Sequence, residues 1–180
     1  MVYIILGNGF EPVEAVAPCD ILRRGDVEVR FAGIGGKTIT GGHGIAVEAD
    51  CTVEEIDEEK LEMVVLPGGL GGVHSILASE TAMNFIRLAY EKNCLIAAIC
   101  AAPTILASLH ITDGRRATCY PGLEDQMGTA QMIPCGAVQD GNVITGRAAG
   151  SADEFGLACL RALKGEDTAR QVASDIVYRA

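Results

Sequence analysis

Five apolar residues, Leu95-Ile96-Ala97-Ala98-Ile99, run into Cys100-Ala101-Ala102-Pro103 and a helical stretch to residue 109 with no loop between. A strand this apolar is covered on both faces, as in parallel sheets flanked by helices. A direct strand-to-helix junction leaves one residue, Cys100, at the corner. That position forces a sparsely populated backbone conformation and stands the side chain out of the sheet. Neighbours two positions away must be small, and Ala98 and Ala102 are. Pro103 suits a first helical turn, where its missing N–H has no partner to lose.

The rest of the chain repeats the alternation. Val2–Leu6 reads as a buried strand, followed by a helical period over residues 11–24 that Gly25 closes. Residues 27–32 read as a second strand. Gly35-Gly36 reads as a hairpin turn into Thr38–Thr40, with a further strand at 45–47. The acidic stretch 54–62 reads as a solvated face. Met63–Leu66 is a compact strand stopped by Pro67-Gly68-Gly69, and 81–92 is predicted helical. Strands are predicted at 115–119 and 143–145. Ser151-Ala152-Asp153-Glu154 reads as a capping box opening a helix to about residue 163, and 168–177 as a last helix. The pattern predicts one α/β domain over residues 1–180, with a mainly parallel sheet and helices on both faces. Ligands in such sheets bind beyond the carboxyl ends of the strands, here residues 7–14, 66–72 and 99–103.

Bulk properties exclude several functions. The 180 residues carry 14 basic and 24 acidic side chains, net −10, which disfavours nucleic acid and anionic membranes. Aromatics are 4% with no Trp, so no base-stacking platform exists. The N-terminal apolar run is too short for a signal peptide, and no stretch approaches a membrane span; the cytoplasm is the expected location. Seven cysteines at scattered spacings, with no Cys-x-x-Cys, fit neither a disulfide framework nor a zinc site. No metal or cofactor is expected. Cys19, Cys51, Cys94, Cys119, Cys135 and Cys159 read as small buried hydrophobes.

Cys100 differs. A thiol at a helix N-terminus feels a field that favours thiolate, and nearby N–H groups can donate to an oxyanion. The run Leu66-Pro67-Gly68-Gly69-Leu70-Gly71-Gly72 reads equally as a flexible connector or as a turn aiming the Gly68 and Gly69 N–H groups at developing charge. It lacks the Gly-Lys-Ser/Thr of a phosphate loop. Glu14, taken alone, is an ordinary first-turn glutamate. Beside a thiolate it becomes one of two acids that resist double ionisation, so it would stay protonated and donate to sulfur. None of His43, His74 and His110 neighbours Cys100 in sequence, so a protease-type Cys–His pair lacks local support.

Several stretches, in order, resemble the ThiJ/PfpI family, in the subgroup of the parkinsonism-associated redox protein and the protein deglycases. They are Glu11-Pro12-Val13-Glu14 with Asp20-Ile21-Leu22-Arg23-Arg24, then Val64-Val65-Leu66-Pro67-Gly68-Gly69, then residues 95–103. Thr145-Gly146-Arg147, Gly150-Ser151 and Glu154-Phe155 follow. The resemblance implies a flavodoxin-like fold of the class I glutamine amidotransferase type and a homodimer. It implies Cys100 as nucleophile and oxidation-sensitive cysteine, Glu14 as its protonated partner, and Gly69 and Ala101 as oxyanion donors. It places Arg24 near a dimer interface and the site. Tyr120 stands where a well-known member has histidine, and His43 where that member has an interface arginine. Ala101 replaces the histidine that follows the cysteine in PfpI-type peptidases. Peptidase and glutamine amidotransferase activities are therefore not expected.

Two functions follow from the resemblance. One is glyoxalase III or deglycase activity on methylglyoxal or its glycated adducts, through a hemithioacetal on Cys100 with Glu14 shuttling the proton. The alternative is an oxidative-stress sensor or chaperone that forms a sulfinate at Cys100.

Overall fold

The computed structural model describes residues 1–179. Strands β1 (Val2–Leu6), β2 (Val29–Gly33), β3 (Thr38–Thr40), β4 (Ala46–Glu48), β5 (Cys51–Thr52), β6 (Met63–Leu66), β7 (Leu95–Ile99), β8 (Arg116–Ala117), β9 (Gln131–Met132), β10 (Ala137–Asp140) and β11 (Val143–Gly146) are joined by helices. These are α1 (Pro12–Arg24), α2 (Leu70–Ala78), α3 (Glu80–Glu91), α4 (Pro103–Ser108), α5 (Ala152–Lys164) and α6 (Glu166–Asp175).

Every residue of β1 is buried, and its side chains divide by parity, as the period of two requires. Val2, Ile4 and Leu6 pack with Ile21 and Leu22 of α1 and Phe155 and Leu160 of α5. Tyr3 and Ile5 face the other way, into Val73, Phe85, Ile86 and Ile105 of α2, α3 and α4. Strands β6 and β7 divide likewise, so one sheet separates two apolar layers. The seven-stranded sheet has the order β10-β11-β7-β6-β1-β2-β5. All its pairings are parallel except β10 with β11. This is the doubly covered, flavodoxin-like arrangement. From β1 the chain steps one way to β2 and later returns the other way to β6. The carboxyl ends of β1 and β6 thus flank the switch point.

The structure corrects the sequence reading in four places. Residues 70–78 are helical, not a connector. Two glycines weaken helix propensity there by about 1 kcal/mol each, but they let α2 lie against the loop after β1. A Cβ on Gly72 would stand 2.7 Å from the Phe10 Cα. Gly35-Gly36 is a bend, not the hairpin turn. The hairpin joins β3 to β4 through residues 41–45, while β2 pairs with β1 and β5. Ser151 makes no capping hydrogen bond. It lies in a 3-10 turn, and the Glu154 carboxylate instead accepts the Ala137 N–H at 3.2 Å. That bond anchors β10, an antiparallel edge strand that the sequence pattern did not announce. The strand predicted at 115–119 is only Arg116–Ala117, paired with β9 outside the main sheet.

Candidate active site

Three parallel neighbours, β1, β6 and β7, end side by side, and each supplies one part of the site. Cys100 follows β7 with φ 67°, a left-handed value that costs a non-glycine residue about 1–2 kcal/mol. Two hydrogen bonds hold it there. Its N–H donates to the Gly146 carbonyl at 2.9 Å, and its own carbonyl accepts the Tyr120 N–H at 2.7 Å. Ala98 and Ala102 are fully buried beside the corner. The sulfur is only half-buried.

Glu14, on the first turn of α1, is fully buried. Its Oε2 accepts the Gly68 N–H at 2.9 Å. Among the described residues no N–H or O–H hydrogen-bonds to Oε1. The Cys100 thiol lies beside this carboxyl, and each group alters the acidity of the other. Gly68 makes the approach possible: a Cβ there would lie 2.6 Å from the Cys100 Cβ and 2.6 Å from Glu14 Oε2.

Burial dominates the electrostatics. It raises the Glu14 carboxyl to about 7, against the hydrogen bonds from Cys100 and Gly68, with the Glu11 charge adding to the rise. Burial also pushes the Cys100 thiol up to about 12, helped by the Glu14 charge and by hydrogen bonding to Glu14. The Gly69 and Ala101 N–H groups hydrogen-bond to the sulfur and act the other way. Burial and the Glu14 charge thus oppose whatever the start of α4 contributes toward a thiolate. Helix α4 is one and a half turns long and starts only at Pro103. Two buried acids in contact hold at least one proton between them at neutral pH. When Glu14 carries it, the repulsion vanishes, the carboxyl becomes a donor to sulfur, and the Gly69 and Ala101 bonds remain.

Of the backbone donors read from the sequence, Gly69 and Ala101 face the sulfur. The Gly68 N–H does not, because Glu14 occupies it. A cavity of about 340 Å³ opens over Cys100, lined by Glu11, Gly69, Leu70, Ala101 and residues 120–123. Tyr120 is thus placed at the site, half exposed. Arg24 and His43 do not line this cavity within one chain. Arg24 pairs with Asp20 and lines a different hollow with Asp153 and Asp175. His43 is exposed in the β3–β4 turn. Sequence reading overlooked Leu70, Pro121 and Leu123 as cavity walls, and overlooked Glu11. Only Glu11 carried a signal, three residues before Glu14 on the same helix start.

Among the described residues no group of three or more His, Cys, Asp or Glu is placed to hold a metal ion. No helix among them is long and apolar enough to cross a membrane.

Comparison with known proteins agrees with this architecture. The chain is 34% identical over 177 residues to protein dj-1beta of Drosophila melanogaster, covering 97% of this chain and 95% of that one. The crystal structure of that protein matches with a TM-score of 0.93, over 99% of this chain and 98% of that one. A deglycase of Pyrococcus horikoshii is 34% identical over 148 residues, 81% of this chain and 89% of the relative. Oxidised Toxoplasma gondii DJ-1 matches with a TM-score of 0.94 at 26% identity, over 99% of this chain and 98% of that one. A model of the DJ-1/PfpI family matches residues 1–162, and the chain belongs to the DJ-1/PfpI family.

Proposed function

We propose that the chain is a cysteine-dependent enzyme, needing no cofactor, that acts on methylglyoxal or its early adducts. The observation that carries this is the meeting of buried Glu14 and Cys100 across Gly68, on the floor of a cavity. As the Cys100 sulfur attacks the aldehyde carbon, Glu14 takes the thiol proton and the carbonyl electrons move onto oxygen. The Gly69 and Ala101 N–H groups turn from sulfur to that oxyanion. Glu14 returns the proton to it, giving a hemithioacetal. The freed carboxylate then removes the proton on the former aldehyde carbon and delivers it to the neighbouring carbon. With the hydroxyl proton passing from the oxygen on the first carbon to the oxygen on the second, this leaves a lactate thioester, which water hydrolyses to lactate and thiol. The redox change is internal, so no external oxidant enters. A carboxyl near 7 suits a group that both gives and takes protons at neutral pH. The name of the Pyrococcus relative, a deglycase, supports the substrate class.

Methylglyoxal-to-lactate turnover by the reduced protein, beside Cys100→Ala and Glu14→Gln, tests the reading. Both variants are expected to lose turnover; full activity in either sinks the mechanism.

A second reading rests on Glu14 Oε1, buried with no hydrogen-bond partner among the described residues and close to Cys100. Two equivalents of peroxide acting on the Cys100 thiolate give a sulfinate and two waters, and a protonated Glu14 donates to the new oxygens. The oxidised form of the Toxoplasma relative supports this stress-sensing role. It needs no turnover and coexists with the first.

Both readings place the protein in the cytoplasm as a homodimer. Val13 and Val16 on α1 and Ile45 beside His43 are exposed apolar side chains. Sedimentation at micromolar concentration checks the assembly, and a monomer there removes it.

A further inference from the structure

We propose that Glu11 makes access to Cys100 charge-selective, admitting neutral and cationic compounds and turning away anionic ones. Glu11 occupies the position just before α1, where a side chain is ordinarily spent on capping the helix; here it makes no capping hydrogen bond. No ion pair among the described residues includes it. Its backbone is fixed, because its N–H donates to the Gly68 carbonyl at 2.9 Å. That bond seats the residue on the cavity wall beside Gly69 and Leu70.

The other walls offer no cationic side chain to balance an anion. Among the described residues no Lys, Arg or His lines the cavity. The titratable groups around it are Glu11, Cys100 and Tyr120 on its walls, Glu14 below, and Glu124, whose Oε2 accepts the Gly122 N–H at 2.7 Å. An entering carboxylate or phosphate would shed water and meet the Glu11 charge, with only the Gly69 and Ala101 N–H groups, already turned to the Cys100 sulfur, to set against it. A guanidinium or ammonium group would find Glu11 unpaired. The net charge of −10 acts in the same sense at longer range. On the proposed reading of Cys100 chemistry, this narrows the substrates to uncharged α-oxoaldehydes and their adducts on arginine or lysine side chains. It excludes α-oxoaldehydes that carry a carboxylate or phosphate.

Paired alkylating agents test the gate without any turnover. Iodoacetamide is neutral and iodoacetate anionic, and peptide mass spectrometry isolates their rates at Cys100 from those at the other cysteines. Each rate is divided by that of the same reagent with N-acetylcysteine amide. At about 10 mM salt, where screening is weak, the normalised acetate-to-acetamide ratio is expected to fall on the order of tenfold below one, the effect of a unit charge across a partly solvated cavity. Added salt should raise it. Glu11→Gln should move it most of the way to one, and Glu11→Arg above one. Glu14 is present in every variant, so its repulsion cancels in the comparison. A wild-type ratio near one at low salt, or a ratio unchanged in Glu11→Gln, overturns the proposal. Selective alkylation without methylglyoxal turnover would uphold the gate and remove the enzyme reading. Turnover without selective alkylation would do the reverse.

Discussion

Glu14 and Cys100 meet because the residue between them has no side chain: the space a Cβ on Gly68 would fill lies 2.6 Å from the Glu14 carboxylate oxygen and 2.6 Å from the Cys100 Cβ. The pair comes from segments 86 residues apart in sequence, so its geometry is a property of the sheet rather than of either segment.

The raised Glu14 carboxyl makes stability depend on pH in a defined direction. Its affinity for a proton rises on folding, from 4.5 to about 7. The folded state therefore binds more protons than the unfolded one between those values, and stability falls as pH rises through that window. Below pH about 4.5 the penalty is absent, and above pH about 7 it is complete, at roughly 3 kcal/mol. Urea unfolding at pH 5 and pH 8 should show Glu14→Gln gaining on wild type by that amount at the higher pH. A pH-independent difference would mean that Glu14 is not held protonated by burial.

Gly68→Ala should cost about 2 kcal/mol or more, because the new methyl has no flexible neighbour to displace. The Ile99 carbonyl stands 3.0 Å away on its remaining side. Gly150→Ala, whose Cβ would meet nothing within 4 Å, should stay within about 0.5 kcal/mol of wild type. Denaturant midpoints distinguish the two, and similar midpoints would contradict the packing described.

Strain at the elbow predicts an inverted ranking. Glycine normally costs about 0.5–1 kcal/mol relative to alanine in ordered structure. At φ 67° the left-handed backbone penalises alanine by about 1–2 kcal/mol. Cys100→Gly should therefore be the more stable variant, by up to about 1 kcal/mol, in thermal or urea unfolding. If Cys100→Ala proves more stable, the corner is not strained.

Oxidation should be selective. Cys159 is fully buried, and burial raises its thiol. Cys19 and Cys119 are buried too. Cys100 alone has both a cavity and a carboxyl that can surrender its charge. Sub-stoichiometric peroxide followed by peptide mass spectrometry should find sulfinate at Cys100 well before the others. Equal oxidation across the chain would remove the redox reading.

Much of this arrangement was legible in the residues. The all-apolar strand 95–99 and its abrupt helix required both a covered sheet and a corner at Cys100, because backbone sterics leave no alternative there. Helix α2 was not legible, since Gly71 and Gly72 contradict local propensity and only the tertiary contact with Phe10 overrules them. The edge strand β10 was hidden for a related reason: a glutamate that matches a capping pattern is used across the fold on Ala137. The acidity of Cys100 was legible only in part, because local dipoles can be seen in a sequence, whereas burial and the neighbouring carboxyl appear only when the chain is closed. The 120–123 wall reaches the site through one backbone bond, which no spacing encodes.

The two bonds that clamp Cys100 also set a schedule. Its N–H waits for the Gly146 carbonyl, 46 residues further along the chain. At about 5–20 residues per second the ribosome needs several seconds to make that stretch, and β11 must then dock beside β7. Throughout that interval the nascent protein carries Cys100 as an ordinary unstrained thiol, unable to adopt its working posture while the chain is unfinished. Thiol probes on stalled nascent chains should see the change only once residue 146 has cleared the exit tunnel.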